Sequence, residues 1–136
     1  MKIALLEDNP GNSEFMQTLL EMEGHEVFPH PKGHSLLAAF QITGNVFPYD
    51  VIIIDILLPN TLSGLDIMHH LQQKYPSRLL PLIVVSALTR QELDRVQAEF
   101  PETPIIRKPF KFQELLAAVQ HVASRPPVNT TPLDCL

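Results

Sequence analysis

The chain has 136 residues, enough for one domain with a real core and short for two. Hydrophobic residues make up 45%, ordinary for a soluble globular protein, and the formal net charge of -5 argues against a nucleic-acid-binding surface as its main business. The single cysteine, Cys135, excludes a disulfide framework or a metal-binding cysteine pair, and no apolar run approaches the ~20 residues of a membrane span.

The chain opens directly on a strand-like stretch, Ile3 to Leu6, which ends in Glu7-Asp8. No small-residue cleavage site of a signal peptide is present, so the expectation is a cytoplasmic protein without membrane contact. Asn9 then suits a helix cap and Pro10 the first helical position. Phe15, Met16, Leu19 and Leu20 form a stripe at helical spacing, and Gly24 supplies the stop. His25 to Phe28 reads as a short strand closed by Pro29 and Pro31. Gly33 opens a second helix carrying Leu36, Leu37 and Phe40.

The next strand is Val51-Ile52-Ile53-Ile54, set between Asp50 and Asp55. An unbroken β-branched run suits a strand buried on both faces, as in a parallel sheet. A carboxylate gains little at the tip of such a strand, so Asp55 needs either a plain turn or a function. A loop with apolar members leads to Gly64, and a third helix places Leu65, Met68, Leu71 and Tyr75 on one face. Leu79 to Val85 is a second strongly apolar strand, ending in Ser86. Thr89-Arg90-Gln91-Glu92 forms a capping box for a fourth helix with Leu93, Val96 and Phe100. Ile105-Ile106 is a short strand ending at Arg107-Lys108-Pro109, and a last helix carries Phe112, Leu115, Leu116, Val119 and Val122. From Pro126 the residues lose all periodicity, so the expected division is a domain over 1–124 and a flexible tail, or the start of a linker, over 125–136.

Strand and helix alternate five times, which implies a parallel sheet with helices on both faces. In such sheets the site lies outside the carboxyl ends of the strands. Those ends carry Glu7, Asp8, Asp55, Ser86 and Lys108. Carboxylates at close range repel unless a cation or a proton joins them, and hard oxygen ligands suit Mg²⁺. Lys108 adds a fixed positive charge and Ser86 a neutral donor. Together they form a setting for an anionic phosphoryl group, with Asp55 as nucleophile.

In Leu6-Glu7-Asp8-Asn9, Ile54-Asp55 with Pro59, Val85-Ser86-Ala87 and Lys108-Pro109-Phe110, the chain resembles the receiver domain of two-component response regulators, of the chemotaxis-regulator type. The resemblance covers roughly Lys2 to Ser124. It implies a flavodoxin-like (βα)5 three-layer sandwich with strand order 2-1-3-4-5. It also implies that Asp55 is the phosphoacceptor, and that Asp8, with Glu7 behind it, Asp55 and the backbone carbonyl of Leu57 hold Mg²⁺. Ser86 would bind a phosphoryl oxygen, and Lys108 would pair with the group and precede a cis proline. A sensor histidine kinase or phosphotransfer protein would be the donor. A downstream protein or a second copy would meet the fourth helix, fifth strand and fifth helix.

Three features depart from that family. The loop from Asp55 to Gly64 is one residue longer than the common pattern, which bears on where the third helix starts, and Ile105 stands where an aromatic switch residue is usual. Leu57 and Leu88, both apolar, flank the site, and the hypothesis is that they exclude the attacking water and lengthen the phosphorylated lifetime. Polar substitution of both with no change in decay rate would count against it. The alternative function is a receiver-like interaction module not regulated by phosphorylation. A phosphohydrolase with an aspartyl nucleophile would want a second carboxylate where Leu57 stands, and a flavin binder would not place Glu7-Asp8 in its phosphate loop. His30 and His34 have ligand-like spacing, but a loop with prolines is a poor platform for a metal. Ser86 has a plain structural reading as well, as a hydroxyl capping the next turn.

Overall fold

The computed structural model describes residues 1–43, 47–56, 64–76 and 79–125. Five strands, β1 (Lys2–Leu6), β2 (Glu26–His30), β3 (Val51–Ile54), β4 (Leu82–Ser86) and β5 (Ile105–Arg107), form one sheet in the order β2-β1-β3-β4-β5. Every neighbouring pair is parallel. Five helices alternate with them: α1 (Pro10–Met22), α2 (Gly33–Thr43), α3 (Gly64–Lys74), α4 (Arg90–Glu99) and α5 (Phe112–Ala123). This is the flavodoxin-like order that the resemblance implied.

Residue alternation along the central strands divides the interior into two layers. Ala4, Leu6, Ile52, Ile54, Leu82 and Val84 meet Leu36 and Phe40 of α2, Ile67, Met68 and Leu71 of α3, and Leu93 and Val96 of α4. Ile3, Leu5, Val51, Ile53, Ile83 and Val85 meet Met16 and Leu20 of α1 and Leu115, Val119 and Val122 of α5. The four residues of β3 are buried on both faces, as a run without alternation requires.

Local signals were obeyed where they were strongest. The Asn9 side chain accepts from the Asn12 amide at 2.9 Å with Pro10 in the first turn, and Thr89 and Glu92 close the capping box of α4. Gly24 follows α1 at φ 89°, a left-handed conformation that favours glycine.

Two strands depart from the sequence reading. β2 continues through Pro29 to His30, pairing with Leu5 and Leu6. It is an edge strand, and a missing N–H costs nothing on the side that faces away from the sheet. β4 begins only at Leu82: Pro81 cannot donate to the ladder, and its carbonyl instead accepts from Ile52 N–H. On α3, Leu65 is only partly buried and Ile67 takes its place in the core, while Tyr75 packs just past the helix end.

Candidate functional site

Three site residues follow directly on strands, and in each the backbone is held by the neighbouring strand. Glu7 N–H donates to the His30 carbonyl at 3.3 Å, Asp55 N–H to Leu6 at 3.0 Å, and Lys108 N–H to Ser86 at 2.8 Å. The hydrogen-bond ladder therefore runs past the strand ends and brings β1, β3 and β5 to one edge. The Lys108–Pro109 peptide is cis, as the resemblance implied.

The side chains converge. Lys108 Nζ lies 2.9 Å from Asp55 Oδ2 and 2.9 Å from Glu7 Oε1. Glu7 Oε2 accepts from the Asn9 amide, so the helix-capping turn also steadies the acid. Glu7 and Asp55 are almost wholly buried. Asp8 is half-buried and, among the described residues, joins no ion pair. One carboxylate oxygen each from Glu7, Asp8 and Asp55 lie within 4.8 Å of one another, and this oxygen-only set fits a hard cation.

Burial dominates the titration of Glu7 and pushes it above its ordinary 4.5; the bonds from Lys108 and Asn9 oppose that, and the charge on Asp55 adds to it. For Lys108 burial works against the ammonium, yet the hydrogen bonds to Asp55 and Glu7 prevail and hold it above 10.5. The carboxyl pocket thus carries a fixed cation at one wall and excess negative charge within.

Ser86 is fully buried, and its hydroxyl accepts from the Leu88 amide at 3.1 Å. That is the turn-capping role its sequence position also allowed. Its carbonyl bond to Lys108 N–H ties it to the cluster through the backbone. The Leu57 carbonyl, the flanking Leu57 side chain and the lengthened loop lie outside the described residues.

Gly64 is a site-shaping residue that the sequence reading treated only as the end of a loop. A methyl group there would overlap the Asp55 carbonyl oxygen and lie 2.7 Å from both Ile54 Cγ2 and Ile56 Cα. The first residue of α3 can approach Asp55 only without a side chain. The glycine opening a helix was the available signal, but nothing local says how near that helix start comes to the strand end.

The sequence model of the response regulator receiver domain matches residues 3–120. The chain belongs to the response regulator receiver domain family. This receiver domain is 32% identical over 136 residues to a probable transcriptional regulatory protein of Picosynechococcus, covering 96% of this chain and 53% of that protein. It is 30% identical over 128 residues to the response regulator ArlR of Staphylococcus saprophyticus, covering 93% and 54%. The chain spans about half the length of the curated relatives it matches. Among solved structures, a receiver domain protein from Clostridium thermocellum superposes with TM-score 0.76 at 27% identity, covering 91% of this chain and 94% of that one. TrrA of Thermotoga maritima, solved in complex with Mg²⁺–BeF, gives 0.72 at 26%, covering 89% and 97%. Receiver domains are signalling phosphoacceptors that bind Mg²⁺ at an acidic pocket, and the acid cluster of this chain is consistent with that. Among the described residues, no helix is long and apolar enough to cross a membrane.

Proposed function

We propose that the chain takes a phosphoryl group onto Asp55 from a sensor histidine kinase or a phosphotransfer protein. The observation that carries this is the Lys108 ammonium at 2.9 Å from both Asp55 and Glu7, at the mouth of a buried acid cluster. The Mg²⁺–BeF complex of the structural neighbour TrrA supports it by likeness.

Glu7, Asp8, Asp55 and the backbone carbonyl of Leu57 would hold Mg²⁺. Bound there, the ion would supply positive charge to the phosphoryl oxygens and relieve repulsion among the carboxylates. An Asp55 oxygen forms the new bond to phosphorus as the bond from phosphorus to the donor breaks. Lys108 neutralises a second phosphoryl oxygen. Its bond to Glu7 keeps the ammonium at the site when Asp55 no longer offers a plain carboxylate. Ser86 gives up the Leu88 amide and donates its hydroxyl to a third oxygen. A change of hydrogen-bond partner of this kind shifts a two-state equilibrium toward the form that binds the new charge better.

On this reading the chain catalyses only its own phosphorylation and dephosphorylation and acts in the cytoplasm. Its functional unit is residues 1–124, with 125–136 as tail or linker. A downstream protein, or a second copy of the chain, reads the phosphorylated form. The second reading, an interaction module without phosphorylation, is favoured by Ile105, which packs against the core where a rotating ring would be wanted.

Intact-mass spectrometry after incubation with a small phosphodonor separates the two. The expected result is one added phosphoryl group that requires Mg²⁺ and disappears in Asp55→Asn. No gain, under conditions that label another receiver domain, would put the second reading first.

A further inference from the structure

The acid cluster occupies the carboxyl edge of the sheet. The opposite edge, at the starts of β1, β2 and β3 and against α2, carries a groove of about 800 Å³. The rings of Phe28, Phe47 and Tyr49 line it, with Ile42 of α2 on its flank. Its volume falls within the range of small-molecule sites, and aromatic walls with a few polar groups are their usual lining. The rings are braced from the core. Phe28 and Tyr49 stand 5.6 Å apart between centroids, and Phe47 and Tyr49 meet the buried Phe40 edge-on at 5.0 and 6.0 Å.

The same groove is lined by Lys2, Glu26 and Asp50. Lys2 and Glu26 are register partners on neighbouring parallel strands. Such strands lie about 4.8 Å apart, so an ammonium and a carboxylate stem from adjacent positions on one face. Among the described residues neither joins an ion pair. Side-by-side charges of opposite sign next to ring faces match a ligand that carries an ammonium and a carboxylate on one carbon and an aromatic ring on the next. That is the chemistry of a free aromatic amino acid.

Tyr49 connects the groove to the acid cluster. Its hydroxyl meets His30 Nε2 at 2.8 Å, and His30 Nδ1 meets the Ser35 hydroxyl, in the first turn of α2, at 2.6 Å. Burial holds His30 below its ordinary 6.5 and Tyr49 above its ordinary 10.0, so at neutral pH an uncharged ring joins two hydroxyls. The His30 carbonyl in turn accepts from Glu7 N–H. His30 therefore has hydroxyl partners, not the metal role that its spacing from His34 allowed. We propose that this groove binds a free aromatic amino acid, and that its occupancy is felt at the acid cluster through Tyr49 and His30. The ring of the ligand seats on Phe28, Phe47 and Tyr49. Lys2 meets its carboxylate, and Glu26 with Asp50 meets its ammonium. A bound ligand that fixes Tyr49 also fixes His30 and the backbone bond that positions Glu7. The consequence for Mg²⁺ rests on the reading that Glu7 belongs to the metal set.

The chain has no tryptophan, so the fluorescence of added L-tryptophan reports only the ligand's own surroundings. The probes for the full chain are L-tryptophan, tryptamine, which lacks the carboxylate, and indole-3-propionate, which lacks the ammonium. L-tryptophan is expected to bind about tenfold more tightly than either, the order of one lost hydrogen bond between charged groups. Lys2→Gln and Glu26→Gln, both at exposed positions, should each weaken it to a similar extent. In amide NMR spectra the Glu7 signal should move as L-tryptophan is added, and Mg²⁺ affinity should rise about fivefold. Tyr49→Phe keeps the ring and loses the hydroxyl. It should bind L-tryptophan at the wild-type affinity and leave the Glu7 signal and Mg²⁺ affinity unmoved. No saturable binding, or equal binding of the three probes, would overturn the ligand. Binding without movement of Glu7 would overturn the coupling, and an unchanged response in Tyr49→Phe would overturn its route. Absence of Mg²⁺ binding even without L-tryptophan removes the metal reading alone, and the Glu7 signal then decides the coupling by itself.

Discussion

Lys108 Nζ stands 2.9 Å from Asp55 Oδ2, and this one contact joins the last strand of the sheet to the middle one across 53 residues of sequence. The same ammonium reaches Glu7, so each end of the chain holds part of the pocket. Breaking such a pair by removing one partner leaves uncompensated charge in a buried place. Lys108→Met is expected to lower stability by about 2 kcal/mol at pH 7, less than for a fully dry pair because Lys108 is partly exposed. Its ammonium is held above 10.5, so its stabilising contribution is complete below that value and is lost as pH rises through the raised one. Urea unfolding against pH should show the wild-type advantage shrinking in the alkaline limb, as Lys108 loses its proton, and again in acid, as its carboxylate partners gain theirs. A constant difference through that range would show that the variant acts by packing alone.

Glu7 has the opposite balance. Burial raises its proton affinity in the folded state, so the native chain binds that proton more tightly than the unfolded chain does. Its favourable contribution is therefore present below 4.5 and is lost as pH rises through the folded value. At pH 7 without divalent cation, Glu7→Gln is expected to stabilise the domain, on the order of 1 kcal/mol. The gain should fade toward pH 4. Adding Mg²⁺ should reverse the order, because a ligand stabilises only the form that binds it. A thermal-shift titration with Mg²⁺ on both proteins reads this directly. An equal shift in the two would remove Glu7 from the metal set.

These residues were legible because they stand at strand ends, where apolar runs stop abruptly. Glu7, Asp55 and Ser86 each stop an apolar run, Asp8 and Lys108 stand one residue past such a stop, and the rule that sites lie beyond the carboxyl ends of parallel strands gathered them. Edge position was not legible: whether Pro29 ends a strand depends on which neighbours that strand has, and the local sequence does not say. Nor was the pairing of Ser86 with the Leu88 amide, because a hydroxyl at a strand end suits a turn and a ligand equally. Gly64 was hidden for the same reason, since its neighbour Asp55 is nine positions away and meets it only in the fold.

Gly64→Ala tests how closely α3 must approach. The added methyl meets backbone and a buried Ile54 side chain, none of which can swing aside. Overpacking of this kind costs roughly 1–3 kcal/mol, and here the strain falls on the peptide that carries Asp55. Phosphorylation by a small donor should slow by more than the loss of folded protein explains. Mass spectrometry on protein shown by circular dichroism to be folded measures the two effects apart. A variant that is destabilised yet labels at the wild-type rate would make Gly64 purely a packing residue.

Ser86→Ala and Ser86→Thr separate the two roles of that hydroxyl. Alanine removes the acceptor for the Leu88 amide, a loss of about 1 kcal/mol for one hydrogen bond. If the hydroxyl only caps the turn, stability should fall and the rate of Asp55 labelling should stay. If it also donates to the phosphoryl group, labelling should slow by about tenfold or more, the order expected when one preorganised donor is removed. Threonine keeps the hydroxyl but adds a methyl in a fully buried position. It should therefore restore the rate while leaving some loss of stability. Rescue of the rate without rescue of stability is the pattern a phosphoryl-binding hydroxyl predicts, and rescue of stability alone would return Ser86 to a capping residue.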